Sequence, residues 1–134
     1  MRPITLANFT AVAGLALLLS TASCTKPETL RYPHGTAETT AQAWADAFNR
    51  NEVAQLRLLV HPDRRALFDE HSADLAGQLK AFDVQRWVMG ATVVVGDKKL
   101  EGREIMLFFT DTTTVRENSA LIVFSEGHWW LWKY

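Results

Sequence analysis

The chain has 134 residues, of which 48% are hydrophobic, and its 14 basic and 15 acidic side chains give a formal net charge of −1. This length suits a single domain with a modest core. Without a basic excess, nothing indicates a nucleic-acid partner. One cysteine, Cys24, leaves no intramolecular disulfide, and no Cys/His spacing of the zinc type occurs. We therefore predict no metal site and no cofactor.

The first 23 residues have the pattern of a secretion signal. Arg2 precedes an apolar run from Phe9 to Leu19, and the small residues Thr21 to Ser23 follow. The apolar run is too short for a membrane-spanning helix, which needs about twenty residues. We therefore assign residues 1–23 to a signal peptide.

The end of this segment, Leu19-Ser20-Thr21-Ala22-Ser23-Cys24, resembles the lipobox of bacterial lipoproteins. The resemblance implies cleavage before Cys24, a diacylglycerol on its thiol and an amino terminus acylated with a fatty acid such as palmitate. Two or three acyl chains hold a protein at a membrane, whereas one chain binds only marginally. Thr21 departs from the commoner leucine, and an ordinary signal peptide with an incidental cysteine, or an uncleaved anchor, are the alternatives.

The lipobox resemblance also implies a location. It places the protein in the bacterial cell envelope, lipid-anchored and facing the periplasm. Thr25 stands where an aspartate commonly retains such proteins in the inner membrane, which favours the outer membrane.

Residues 24–35 predict a flexible tether after the lipidated cysteine. Pro27 and Pro33 disfavour a helix, and no apolar period appears. About eleven extended residues reach roughly 35–40 Å, so the domain, residues 36–134, would stand well off the membrane.

Three main helices are predicted at the start of the domain. Thr36 is the N-cap of the first, which ends at Asn49-Arg50-Asn51. The second spans Val53 to Val60 and is interrupted by His61-Pro62. A short helix over Asp63–Glu70 and a third main helix after an N-cap at Ser72 follow.

The apolar period then changes from helical to alternating. The predicted strands are Trp87–Val95, Arg103–Asp111, Ser119–Ser125 and His128–Tyr134, with a two-residue hairpin at Glu126-Gly127. The fold class is therefore α+β, with three N-terminal helices packed on a bent, four-stranded antiparallel sheet.

This element order, with the closing segment Ser125-Glu126-Gly127-His128-Trp129-Trp130-Leu131-Trp132, is similar to the cystatin-like, nuclear-transport-factor-2-like superfamily. The resemblance implies a cone-like domain over residues 36–134. The superfamily includes isomerases, dehydratases and non-catalytic binding or assembly domains, so the fold does not choose the function.

The most polar stretch contains the candidate catalytic residues His61, Asp63 and His71, with Asp69 nearby. A carboxylate can orient an imidazole as a general base. The alternative is ordinary capping and turn chemistry on a solvated helix surface. No catalytic motif of the superfamily matches these positions.

The last hairpin is apolar on both faces. A two-residue turn pairs Phe124 with Trp129 and Val123 with Trp130. Alternation then places Ile122, Phe124, Trp129 and Leu131 on one face, and Leu121, Val123, Trp130, Trp132 and Tyr134 on the other. If the helices cover only the first face, the second set is a binding or interface surface for a pocket ligand, a second copy or a protein partner. If the helices touch more of the sheet, that set is core.

The leading hypothesis is a membrane-anchored envelope lipoprotein that acts as a non-catalytic binding or assembly module. One alternative is a small pocket enzyme, an isomerase or hydrolase, with a His/Asp general base. Another is an accessory lipoprotein of a secretion or pilus complex.

Overall fold

The computed structural model describes residues 28–111 and 113–134, and this part of the chain is α+β. The signal peptide and the lipidation site predicted at residues 1–24 lie outside the described residues. The helices are α1 (Ala37–Asn49), α2 (Val53–Leu59), α3 (Arg65–Glu70) and α4 (Ser72–Ala81), with a 3-10 turn at Pro62–Arg64. The strands are β1 (Asp83–Val95), β2 (Leu100–Thr110), β3 (Val115–Ser125) and β4 (His128–Lys133).

The four strands form one antiparallel sheet in the order β1-β2-β3-β4, as predicted. Within residues 28–111 and 113–134, each helix is too short or too polar to cross a membrane. The largest fully buried apolar side chains of the main core come from α1, α2 and the sheet: Phe48, Leu56, Leu59, Ile105, Leu107, Ile122 and Leu131.

The described part of the chain has the three predicted main helices and the predicted short helix between the second and third, but the short helix begins at Arg65 instead of Asp63. Pro62 opens a 3-10 turn, in which the Asp63 N–H donates to Nδ1 of His61 at 3.1 Å, and α3 begins only after it. His71 ends α3, and α4 starts directly at Ser72. The prediction of Ser72 as an N-cap was therefore wrong by one residue.

The first helix begins and ends as predicted. Thr36 and Thr39 form a capping box, in which each hydroxyl accepts the other residue's backbone N–H at 3.1 Å. At the other end Asn51 has a φ of 58°, the left-handed conformation that asparagine tolerates at a helix end. The C-terminal end of α1 is also joined to the start of β1. The Asn49 side-chain amide accepts the backbone N–H of Val84 at 2.7 Å and donates to the Val84 carbonyl at 2.9 Å. This clamp lets β1 begin at Asp83, four residues earlier than the sequence predicts.

The segment 28–35, which we call the N-terminal strap, is held by one buried side chain. Gln55 of α2 is fully buried, and its Oε1 accepts the backbone N–H of Arg31 at 2.9 Å. Its Nε2 donates to the Glu28 carboxylate and to the Thr29 carbonyl, each at 2.9 Å. All three bonds of the Gln55 amide therefore go to the strap.

The far end of the strap is hydrogen-bonded to the open edge of the sheet. The Trp129 N–H donates to the carbonyl of His34 at 2.8 Å, beside the open edge of β4. Between the two ends, Tyr32 donates to the Glu52 carboxylate at 3.0 Å. The prediction of a flexible tether is therefore wrong for residues 28–35, because a buried amide requires partners and the strap supplies them.

The last hairpin has the predicted register. Phe124 pairs with Trp129, and Val123 with Trp130. Glu126 and Gly127 have φ values of 54° and 81°, as a two-residue turn matching the twist of the strands requires.

A β-bulge at Trp132 changes the face of the last residue. Ile122 pairs with Leu131 and Leu121 pairs with Lys133, so Trp132 has no partner on β3. One extra residue reverses the alternation beyond it. Tyr134, predicted on the face away from the helices, instead packs on Phe68 of α3, with 5.7 Å between ring centres.

The face of the sheet opposite α1 has a small core of its own. Val95 and Val123 are 7% and 0% exposed, yet neither belongs to the main core. Gly102 pairs with Val93 on one side and Val123 on the other, and a Cβ there would stand 2.7 Å from Cγ2 of Val95 and 3.1 Å from Cγ2 of Val93. Only a residue without a side chain allows this close packing.

A pair of Gly→Ala variants tests this packing. Gly102→Ala is expected to lower the free energy of unfolding by about 1–3 kcal/mol, because its methyl group overlaps Val95. Gly77→Ala in α4 has open space and is expected to raise it by about 0.5–1 kcal/mol. Urea unfolding measures both, and equal effects of the two substitutions would contradict the close approach.

Gln55→Ala is expected to release the strap. It removes three hydrogen bonds and leaves buried groups without partners, so the free energy of unfolding falls by about 1–3 kcal/mol. Limited trypsin digestion should then cut after Arg31 faster than in the unmodified chain. Gln78→Ala, on the exposed face of α4, is the matched control. A strap that stays protected in Gln55→Ala would contradict the role given to Gln55.

Candidate functional site

A cleft of about 410 Å³ opens between the helices and one end of the sheet. Its apolar lining consists of Trp44, Phe48, Leu67, Phe68, Leu75, Phe109, Trp132 and Tyr134. Its polar lining consists of Arg64, His71, Asp74, Gln78, Asn118 and Lys133. Apolar walls with a few polar groups at the rim are typical of small-molecule sites.

The floor of the cleft is a set of packed aromatic rings. Trp44 and Phe48, four residues apart on α1, stack with 5.1 Å between ring centres, and Phe109 of β2 meets Phe48 edge-on at 5.2 Å. Phe68 closes the side against Tyr134. Trp44, Phe48 and Phe68 are at most 4% exposed, so the floor of the cleft is part of the main core.

Arg64 is fixed at the rim. It is half-buried, its Nε–H donates to the Trp132 carbonyl at 3.1 Å, and its guanidinium carbon lies 5.3 Å from the centre of the Trp132 ring. Burial raises the pKa of the Tyr134 hydroxyl nearby, and the positive charge of Arg64 opposes that shift.

His61, the first catalytic candidate, lies outside the cleft. It is 8% exposed and its ring packs against Trp132 and Trp130, at 5.2 and 6.2 Å between centres. Because Nδ1 accepts the Asp63 N–H, the neutral ring carries its proton on Nε2. Burial lowers the pKa of His61, and the exposed Asp63 carboxylate opposes that shift. Asp63 also pairs with Lys98 at 3.7 Å.

His71 does line the cleft, at its exposed rim, together with Asp74. Asp69, the carboxylate expected beside it, faces away and accepts two hydrogen bonds from Arg57, at 2.8 and 3.1 Å, which lower the pKa of Asp69. Among the described residues, no hydrogen bond joins His71 to a carboxylate. The structure therefore brings no two of His61, Asp63 and His71 together in the cleft.

The five residues predicted as an interface do not form one exposed surface. Leu121 is half-buried, Val123 is fully buried, and Trp132 and Tyr134 line the cleft. The exposed apolar residues of the sheet are others: Val88, Val94, Met106, Val115 and Phe124. A role of the sheet in dimers or partner binding stays a prediction.

Trp130 is enclosed by charged and titratable side chains. His34 meets its ring edge-on at 4.7 Å, and His128 lies at 6.0 Å. The Arg65 guanidinium lies 5.9 Å from the ring centre, and the indole N–H donates to the Ser125 carbonyl at 3.0 Å. The sequence pattern does not predict this enclosure, because one of its side chains, His34, comes from the strap, which is distant in the chain.

His34 joins the strap to the last hairpin. Its ring stacks on His128 with 4.3 Å between centres, and its Nδ1–H donates to the Trp129 carbonyl at 3.1 Å. Burial lowers the pKa of His34, and the neighbouring His128 adds to this, while the bond to Trp129 opposes it. In residues 28–111 and 113–134, no three His, Cys, Asp or Glu side chains converge as a metal site would require.

We expect stability to fall as the pH drops from about 7.5 to about 5.5. Protonation of His34 and His61 is less favourable in the folded chain than at the ordinary pKa of 6.5, so the unfolded chain binds more protons below that pH. Urea unfolding across this range measures the slope of the free energy of unfolding against pH. The whole range lies above the pH at which Asp69 titrates, because its bonds to Arg57 lower the pKa of Asp69. His34→Gln and His61→Gln should each reduce the slope, and His71→Gln is the control. An unchanged slope in both variants would contradict the assignment.

No protein-family model matches this chain, and no curated protein matches it. Among solved structures, the fold is similar to the solution structure of a SEC-C motif containing protein from Rhodopseudomonas palustris, with a TM-score of 0.57 and 14% sequence identity. The similarity covers 74% of this chain and 77% of that chain. At this identity the likeness concerns the fold alone, and it agrees with an α+β domain of helices on an antiparallel sheet.

Proposed function

We propose that this protein is a membrane-anchored lipoprotein of the bacterial cell envelope, whose domain is a non-catalytic binding module with the cleft as its binding site. The observation that carries the proposal is the cleft itself, with an aromatic floor and a polar rim in which, among the described residues, no hydrogen bond or ion pair joins His71 to Asp74. A pocket enzyme with a His/Asp base would require such a pair facing the cleft.

The domain is, in this proposal, nuclear-transport-factor-2-like and cone-like. In support, α1 packs along one face of the sheet, and the two short helices α3 and α4 leave the cleft open at one end. Two irregularities in the pairing of β1 with β2, at Val84/Arg86 and Met89/Thr92, are of the kind that bends a strand.

The anchor is Cys24, on the sequence evidence given above. The strap changes what the anchor does, because residues 28–35 are docked and only residues 24–27 precede them. Four extended residues reach at most about 14 Å, compared with the 35–40 Å of a fully free tether. In this proposal, the lipid therefore holds the domain close to the membrane surface.

The second candidate binding surface is the exposed face of the sheet, which would bind a second copy of the chain or a protein partner. Val88 and Met106 pair across β1 and β2, are 46% and 37% exposed, and lie on the face of the sheet away from α1. An assembly role, such as an accessory lipoprotein of a secretion or pilus complex, would use this face.

Native mass spectrometry of the protein extracted from its own membranes in mild detergent tests the proposal. We expect cleavage before Cys24, added acyl mass on it, and a retained small molecule on a monomer. An unmodified Cys24 would overturn the anchor. If the chain retains no small molecule and instead forms a dimer or a hetero-complex, the sheet and not the cleft would be the binding site.

A matched pair of variants locates the retained molecule. Leu67 lines the cleft and is 42% exposed, so Leu67→Trp fills the cleft without disturbing the core, and the retained mass should disappear. Val88→Trp adds the same side chain at a similarly exposed site on the sheet, and should keep it. Loss of the retained molecule from Val88→Trp alone would contradict the cleft as the binding site.

A further inference from the structure

We infer that the cleft takes a small amphipathic carboxylate, a single apolar tail with one carboxylate group that is bound by Arg64. This inference rests on the proposed binding role of the cleft and names the chemical class of its ligand. It depends on three features: the apolar floor, the unused donors of Arg64 and the balance of charge at the rim.

The floor selects an apolar body. The side chains at the bottom of the cleft, Trp44, Phe48 and Phe68, are apolar apart from the indole N–H of Trp44, and Leu67 and Phe109 continue the apolar wall toward solvent. A polar ligand placed there would lose its hydrogen bonds to water without replacement. An alkyl tail loses nothing and removes apolar surface from water.

Arg64 selects the head group. Its Nε is taken by the Trp132 carbonyl and its plane lies near the Trp132 ring, so the guanidinium is already oriented before any ligand binds. None of the described residues accepts a hydrogen bond from Nη1 or Nη2, and Arg64 forms no ion pair with them. A guanidinium with free donors on one edge matches the two oxygens of a carboxylate.

The other charges at the rim favour an anion. Lys133 is a second cation in the lining, and Asp74 on α4 is the one acidic side chain there. His71 adds a neutral or positive group, never a negative one. The rim therefore carries a net positive charge on a chain whose formal net charge is −1. A cationic amphipath would meet Arg64 and Lys133 with like charge.

The test uses the full chain in phosphatidylcholine nanodiscs, with empty nanodiscs as the blank. The probe is dansylaminoundecanoate, a fluorescent fatty acid, read by energy transfer from tryptophans such as Trp44 and Trp132 in the cleft. Competitors with one common tail are dodecanoate, dodecyltrimethylammonium and dodecyl maltoside, which are anionic, cationic and neutral. We expect dodecanoate to displace the probe about tenfold better than the other two, the difference typical of a hydrogen-bonded charge.

Variants assign the head-group contact. Arg64→Met keeps the length of the side chain and should weaken probe binding about tenfold, whereas Arg64→Lys keeps the charge and should restore part of the loss. Lys80→Gln, an exposed cation of α4 outside the cleft, should change nothing. The comparison of the three competitors on the unmodified chain stands even if Arg64→Met fails to fold.

The outcomes separate the inference from the function on which it rests. Equal displacement by all three competitors, or normal binding in Arg64→Met, would overturn the carboxylate assignment and leave the cleft as a binding site. Preferential displacement by the cation would also overturn it and point to Asp74. If no amphipath of any charge enters the cleft and no molecule is retained on the purified chain, the inference and the proposed function both fail.

Discussion

The sheet carries apolar side chains on both faces and buries a core on each, and the rest of this structure depends on that constraint. Ile105 and Leu107 point to the helices, while Val95 and Val123 are buried on the opposite face. Leaving these apolar side chains exposed on either face would be unfavourable in water. One face receives α1. The other has no α-helix packed along it. Val95 packs close to Gly102, which has no side chain, and His61 and Arg65 lie against Trp130, the partner of Val123.

The cleft follows from how the first face is covered. α1 has 13 residues and spans the sheet, but α3 and α4 have 6 and 10 and reach only part of the remaining end. Their apolar residues Phe68 and Leu75 meet the core at the inner side, and Leu67 stays exposed at the outer side. The space between them is too small for another element and large enough for a ligand, and Arg64 is held at its edge.

The strap completes the domain at the other end of β4. An edge strand exposes unpaired backbone groups, and here His34 and His61 satisfy those of Trp129 and Leu131. Gln55 fixes the other end of the strap. Glu28, at the start of the described chain, is therefore held against α2 by Gln55. His34 is the titratable side chain of the strap in this contact, and burial lowers its pKa.

The sequence by itself determined the local features of this protein. The capping residues around α1, the change from helical to alternating period, the four-stranded meander and the register of the last hairpin are readable because each depends on neighbours in the chain. The tertiary structure alone decided the features that depend on distant partners. Gln55 reads as an ordinary helix residue until the strap lies against it, and Arg64 reads as surface charge until Trp132 orients it. The bulge at Trp132 moved Tyr134 to the other face, since a single unpaired residue reverses an alternation that the sequence pattern carries on unchanged.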